Sequence, residues 1–178
     1  MVFMKINNII IIGVGGNIYS ENGCHPIEVC KTAIDTLVEY SIKVEKQSKW
    51  YSSEPIPKSD QPDFFNCVIL ATTKLNEYDV LKSLHQIENK FGRKRNLINE
   101  ARTIDLDLID YSSKVLQNNI ITIPHPRAHL RKFVMGPLSE IYPNWIHPIF
   151  NKNIDSLFIK LDKNSHNEIT RLGKSDIF

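Results

Sequence analysis

Cysteine is scarce: Cys24, Cys30 and Cys67 are the only three, an odd number with no C-x-x-C spacing. That excludes a disulfide framework and a zinc knuckle, and it fits a reducing compartment. Cys67 falls inside an apolar run and is expected in the core. With 7 glycines and 9 prolines among 178 residues, the chain is neither a collagen-like repeat nor a disordered tail. No run approaches the roughly 18 apolar residues of a membrane-spanning helix. The apolar start, Met1 to Val14, lacks a Lys/Arg-rich lead and a small-residue cleavage site. A cytoplasmic protein without a membrane partner is expected. Excess charge is missing as well: a net charge of +2 is too small a lure for nucleic acid. Anion attraction must come from local clustering of the 22 Lys and Arg.

What is present, 42% hydrophobic and 24% charged residues, suits one globular domain over residues 1–178. A chain of this length removes roughly 70% of its unfolded surface from water, so a metal would serve chemistry rather than folding. Ile9 to Val14 reads as a buried strand broken by Gly13, Gly15 and Gly16. Pro26 opens a helix running to about Tyr40, and Ile42 to Tyr51 alternates like a strand. Ser52 to Asp63 holds three prolines and is irregular; Phe65 to Thr73 is again β-rich. Asn76 caps a second helix carrying Val80, Leu84, Ile87 and Phe91, which Gly92 closes. Thr103 to Ile109 alternates strictly, and Pro124 to Pro137 passes from loop into the apolar stretch Phe133 to Ile141. This order predicts an α+β fold, a ferredoxin-like antiparallel sheet with helices on one face. Lys160 to Phe178 reads as a polar tail with one short helix.

Asp105 and Asp107 leave the same strand face, roughly 6.6 Å apart at the backbone, while Ile104, Leu106 and Leu108 face the core. Like charges this close call for a cation, and carboxylates plus substrate phosphates suit Mg²⁺. Alone, the pair fits a solvated strand face better. Arg93, Lys94, Arg95 and Arg102 lie nearby in sequence, and guanidinium groups grip phosphate oxygens in a bidentate fork. A basic helix end meeting its own dipole is the plainer explanation. Pro124-His125-Pro126-Arg127, followed by His129, Arg131 and Phe133, adds imidazoles and guanidiniums on a segment stiffened by proline. In Gln61-Pro62-Asp63-Phe64-Phe65-Asn66, Phe64 and Asn66 share one strand face, an aromatic beside an amide, as proteins hold flat heterocycles; plain core is the alternative.

In this order, Gly15-Gly16-Asn17, Tyr51 to Pro55, Gln61 to Asn66, Glu88 to Arg93, Arg102 to Asp107 and Pro124 to Phe133 resemble 6-hydroxymethyl-7,8-dihydropterin pyrophosphokinase. The resemblance covers about residues 9–141, leaving 142–178 as a C-terminal extension without a matching motif. It implies transfer of pyrophosphate from MgATP to the pterin hydroxymethyl oxygen, with release of AMP, in folate biosynthesis. It further implies catalytic roles for Arg93, Arg102, Asp105 and Asp107, with the two aspartates binding two Mg²⁺ ions. Glu88, Arg95, His125 and Arg131 would contact ATP, and Ser53, Ile56, Phe64, Asn66 and Phe133 would hold the pterin. Both substrates are small molecules, no nucleic acid is implied, and a monomer is expected.

The sequence departs from the family pattern at Gly16, at His85, at Leu130, and at Ile98-Asn99-Glu100-Ala101, where the family carries Trp-Gly-Pro. The rival functions are an RNA-binding ferredoxin-like module, another Mg²⁺-dependent nucleotide transferase, and an inactive or repurposed family member. The first would bind RNA in a salt-sensitive way without Mg²⁺, and the second would accumulate ADP.

Overall fold

The computed structural model describes residues 7–93, 100–164 and 168–173. In chain order its elements are β1 (Asn8–Gly16), α1 (Pro26–Thr36), β2 (Ile42–Gln47), β3 (Tyr51–Ser53), β4 (Phe64–Thr73), α2 (Glu77–Lys90), β5 (Asp105–Tyr111), β6 (Leu116–Gln117), β7 (Thr122–Ile123), α3 (Lys132–Ile141), α4 (Ile154–Asn164) and β8 (Ile169–Arg171). The main sheet runs β5-β1-β4-β3-β8, and β2 pairs with the far half of β4. Every pairing in it is antiparallel. β6 and β7 form a separate ribbon. Mixed helix and antiparallel sheet is the α+β class expected from the sequence.

Local signals explain the helices. His25 caps α1 by accepting from the Ile27 amide while Glu28 reaches back to the cap, and Pro26 needs no hydrogen-bond partner at the first turn. A single 3₁₀ turn, Leu37–Tyr40, completes the predicted helix. Asn76 accepts from the Tyr78 and Asp79 amides at the head of α2, whose Val80, Leu84 and Ile87 are fully buried. Gly92 then takes a positive φ of 79°.

Two expectations are corrected. Helices cover both sheet faces, not one: α1 and α2 pack with Ile10, Ile12, Val14, Ile69 and Leu106, whereas α3 and α4 pack with Ile11, Val68 and Ile109. The second layer was hidden because α3 contains Pro137 and because Ile154, Leu157 and Leu161 of α4 are sparse apolar residues in a polar stretch. Nor is the end of the chain only a polar tail with a short helix. β8 extends the sheet at β3, and the Leu172 amide donates to the Trp50 carbonyl at 2.9 Å. A three-residue strand of Ile, Thr and Arg offers no readable alternation.

The strand predicted from Ile42 to Tyr51 is divided. Ser48 leaves the ladder between β2 and β3, donating its amide to the Val68 carbonyl while its hydroxyl accepts from the Val68 amide, both at 3.0 Å.

Candidate active site

The site grows from the register of the sheet. β1 does not break at its glycines but continues through Gly16. Ile10, Ile12 and Val14 fill the first core, so Gly13 and Gly15 lie on the opposite face. There Gly13 sits between Asp107 and Val68, and Gly15 between Asp105 and Asn66. The result is a backbone floor with carboxylates along one side and an amide along the other. A Cβ on Gly15 would stand 2.9 Å from Asn66 Oδ1, and one on Gly16 2.4 Å from the Thr103 carbonyl oxygen. Glycine at 16 therefore lets the segment before β5 lie against the end of β1. Asn17 ties the two together: its amide donates to the Arg102 carbonyl at 2.9 Å and its Oδ1 accepts from the Arg102 amide at 2.8 Å. Its Nδ2 donates to the Pro62 carbonyl at 3.1 Å, joining the arginine segment to the proline-rich loop.

The charges above this floor are interlocked. Arg93 Nη1 donates to Asp105 Oδ1 and to Glu88 Oε1. Arg102 Nη1 donates to Asp105 Oδ2 at 2.8 Å, and Arg131 Nη1 to Asp107 Oδ2 at 3.4 Å. Burial opposes the charge of Arg93, but Asp105 and Glu88 outweigh it and raise its pKa. Burial and then the Asp105 charge lift the Asp107 carboxyl to about 6, against the pull of Arg131 and Arg93. Burial first, then Arg131 and Arg127, lowers His125 to about 4, so it is neutral at pH 7. Its Nδ1 accepts from the Arg127 amide at 3.2 Å, which leaves the ring proton on Nε2 as a donor.

The aromatic groups lie under the same arginines. The Arg102 guanidinium carbon is 5.6 Å from the Phe64 ring centre, and that of Arg131 is 5.4 Å from Phe133. Asn66 is fixed by donating to Ser53 Oγ at 2.9 Å and to the Phe64 carbonyl at 3.3 Å.

One cleft is lined by Ser53, Ile56, Phe64, Asn66, Arg93, Arg102, Asp105, Asp107, His125, Arg131 and Phe133, all named from the sequence. Glu88 is not among them: its carboxylate is fully buried beneath β5, so the ATP contact expected of it has no surface to act through. Arg95 lies outside the described residues. The cleft also takes in Gly13, Gly15, Glu54 and Arg127, which the sequence reading did not assign to it. Arg127 stood in the Pro-His-Pro-Arg run and Glu54 in the Tyr51 to Pro55 segment, so both could have been included. A second hollow, with Leu81, His85, Ile121, Thr122 and Pro126 in its wall, shares Arg93, Asp105, Asp107 and His125 with the first.

Residues 11–143 match the model of the 7,8-dihydro-6-hydroxymethylpterin-pyrophosphokinase family. The chain belongs to this family. It is a pyrophosphokinase. It is 37% identical over 153 residues to the Synechocystis 2-amino-4-hydroxy-6-hydroxymethyldihydropteridine pyrophosphokinase, covering 85% of this chain and 75% of that protein. The Haemophilus influenzae protein of the same name is 35% identical, over 77% of this chain and 83% of its own length. A folic acid synthesis protein of Pneumocystis carinii is 34% identical over 87% of this chain, which spans only 20% of that longer protein. In fold the pyrophosphokinase is similar to a Plasmodium falciparum HPPK-DHPS structure, with a TM-score of 0.70 at 16% identity, covering 96% of this chain and 50% of that one.

Proposed function

We propose that the two hollows hold the two substrates of a pyrophosphoryl transfer, with the shared charged cluster between them acting on the phosphates. Family membership gives the reaction: ATP is the co-substrate, and a pyrophosphoryl group passes to 6-hydroxymethyl-7,8-dihydropterin in folate biosynthesis. The pterin oxygen bonds to the β-phosphorus, the link to the α-phosphate breaks, and AMP leaves. The observation that carries the residue assignment is the sharing of Arg93, Asp105, Asp107 and His125 by both hollows.

Phe64 and Phe133 present ring faces to the pterin, and Asn66, locked by Ser53, offers hydrogen bonds to its edge. Ile56 adds apolar wall. The nucleoside end of ATP lies in the hollow beside His85 and Ile121. Neutral His125 donates through Nε2 to a phosphate oxygen. Arg93 and Arg102 pair with Asp105, and Arg131 with Asp107. On binding they exchange these carboxylates for phosphate oxygens, where their charge is stabilising as negative charge shifts during transfer.

Among the described residues, no group of three or more His, Cys, Asp or Glu could hold a metal ion. The Asp105–Asp107 pair nevertheless suits Mg²⁺ arriving with a nucleotide: two carboxylates on one strand face, one of them raised by burial and then by the other's charge, supplemented by phosphate oxygens. We assign two Mg²⁺ ions to this pair; when bound they neutralise phosphate charge. Catalysis is positioning and electrostatics, with no covalent enzyme intermediate.

The low net charge and three free cysteines support a cytoplasmic enzyme, which we expect to be monomeric and not to bind nucleic acid. No described helix is long and apolar enough to cross a membrane. The test is calorimetric titration with α,β-methylene-ATP with and without Mg²⁺. Tight binding only with Mg²⁺, lost in Asp105→Asn, is the expected result; Mg²⁺-independent binding overturns the assignment.

A further inference from the structure

Among the described residues, Glu88 is the one site-associated carboxylate that substrate cannot reach, being fully buried on α2. Its position is nonetheless specific. Oε1 accepts the Leu106 amide at 2.8 Å, and Leu106 is the residue between Asp105 and Asp107. The same oxygen accepts from Arg93 Nη1, which also donates to Asp105. One buried oxygen therefore grips both the strand that carries the two aspartates and one of the two guanidiniums paired with the first of them. A buried charge without partners is costly, so Glu88 keeps its two donors in place.

We infer that Glu88 is a positioning residue that acts through Arg93 and Leu106, setting how readily Asp105 exchanges Arg93, one of its two guanidinium partners, for a divalent cation. The inference rests on the assignment of Asp105 and Asp107 to Mg²⁺ made above. A cation reaching Asp105 Oδ1 must displace Arg93, whereas Arg102 holds the other oxygen, Oδ2. With Glu88 ionised, Arg93 keeps a second carboxylate and stays beside the cleft, ready for a phosphate oxygen. With Glu88 neutral, Asp105 is the only carboxylate left to Arg93 in this pairing, and the cation must break a tighter pair. Leu106, held at its amide, keeps the spacing of the two aspartates unchanged during the exchange.

The experiment is a double-mutant cycle on the full chain, read by calorimetry rather than turnover. The probe is α,β-methylene-ATP, and the quantity is the Mg²⁺ concentration giving half-maximal binding. Glu88→Gln retains an acceptor for the Leu106 amide and removes the charge. It should raise that concentration about fivefold to tenfold when Arg93 is present, and less than about twofold in an Arg93→Ala background, since coupled neighbours are non-additive. Equal shifts in both backgrounds, or none in either, would overturn the inference, because Glu88 would then act through the fold or not at all. Weaker nucleotide binding without Mg²⁺ would overturn it too, by showing direct contact with ATP. If Glu88→Gln does not fold, Glu88→Asp replaces it in the same cycle. One methylene shorter, Asp keeps the charge but cannot span both donors, and the shift should be smaller with the same sign. A wild-type chain whose nucleotide binding ignores Mg²⁺ would instead refute the metal assignment beneath the inference.

Discussion

Replacing Asp107 with Asn should inactivate the enzyme while making its ligand-free fold more stable, the reverse of the usual effect of a substitution. Burial and the neighbouring Asp105 charge lift the Asp107 carboxyl from 3.8 to about 6. Keeping it ionised at pH 7 therefore costs up to about 3 kcal/mol, at about 1.4 kcal/mol per pKa unit. The side chain is 37% exposed, and screening by water reduces that to about 1 kcal/mol. Asn has the same shape without the charge and gives up only a 3.4 Å contact with Arg131. The gain corresponds to about 2–4 °C in melting temperature for a chain of this size. Because the folded carboxyl titrates above the unfolded one, the wild type loses this stability as pH rises from about 4 to 6. The advantage of Asp107→Asn should be full above pH 6 and vanish near pH 4. Turnover should fall about a thousandfold or more, since a lost metal ligand removes several kcal/mol of transition-state stabilisation. Thermal unfolding from pH 4 to 8, with turnover at saturating Mg²⁺, checks both halves. A variant less stable than wild type at pH 7 would refute the electrostatic reasoning, and retained turnover the metal assignment.

Phe133→Ala should weaken pterin binding tenfold or more, about 1–2 kcal/mol, and ATP binding much less; equal losses in separate titrations would argue against stacking. Gly16→Ala places a Cβ 2.4 Å from the Thr103 carbonyl oxygen. It should cost about 1–3 kcal/mol in urea unfolding and lower turnover by moving the Arg102 segment; wild-type stability would contradict the close approach. His147 is 1% exposed, and burial, then His129, lowers it to about 4. Stability should therefore fall by up to about 3 kcal/mol as pH drops from 6.5 to 4, and His147→Gln should flatten that slope in melting curves; an unchanged slope would place the acid sensitivity elsewhere.

The parts of the fold that were legible carried repeated local signals. α2 had a cap at Asn76, an apolar stripe and a closing Gly92, and all three work as read. The alternation of Ile104 to Leu108 correctly divided Asp105 and Asp107 from the core side of β5. α4 and β8 escaped because their burial depends on long-range packing against α3 and β3, which no short window contains. The grouping of Phe64, Asn66, Arg102, His125 and Arg131 in one cleft was legible only through their order along the chain, since β1 and the Asn17 links bring them together. The burial of Glu88 was not legible: an acid one turn from Gly92 on a helix reads as exposed. Gly13 and Gly15 were misread as the end of a strand because glycine usually marks a break, whereas here the missing side chains make the floor of the cleft.

The most direct test of the central claim is a product assay with ATP, Mg²⁺ and 6-hydroxymethyl-7,8-dihydropterin, resolving AMP from ADP and detecting the pterin diphosphate. AMP and pterin diphosphate in equal amounts, both abolished in Asp107→Asn, are the expected result. ADP as the nucleotide product, or no pterin diphosphate from a chain that binds both substrates, would contradict pyrophosphoryl transfer at this cleft.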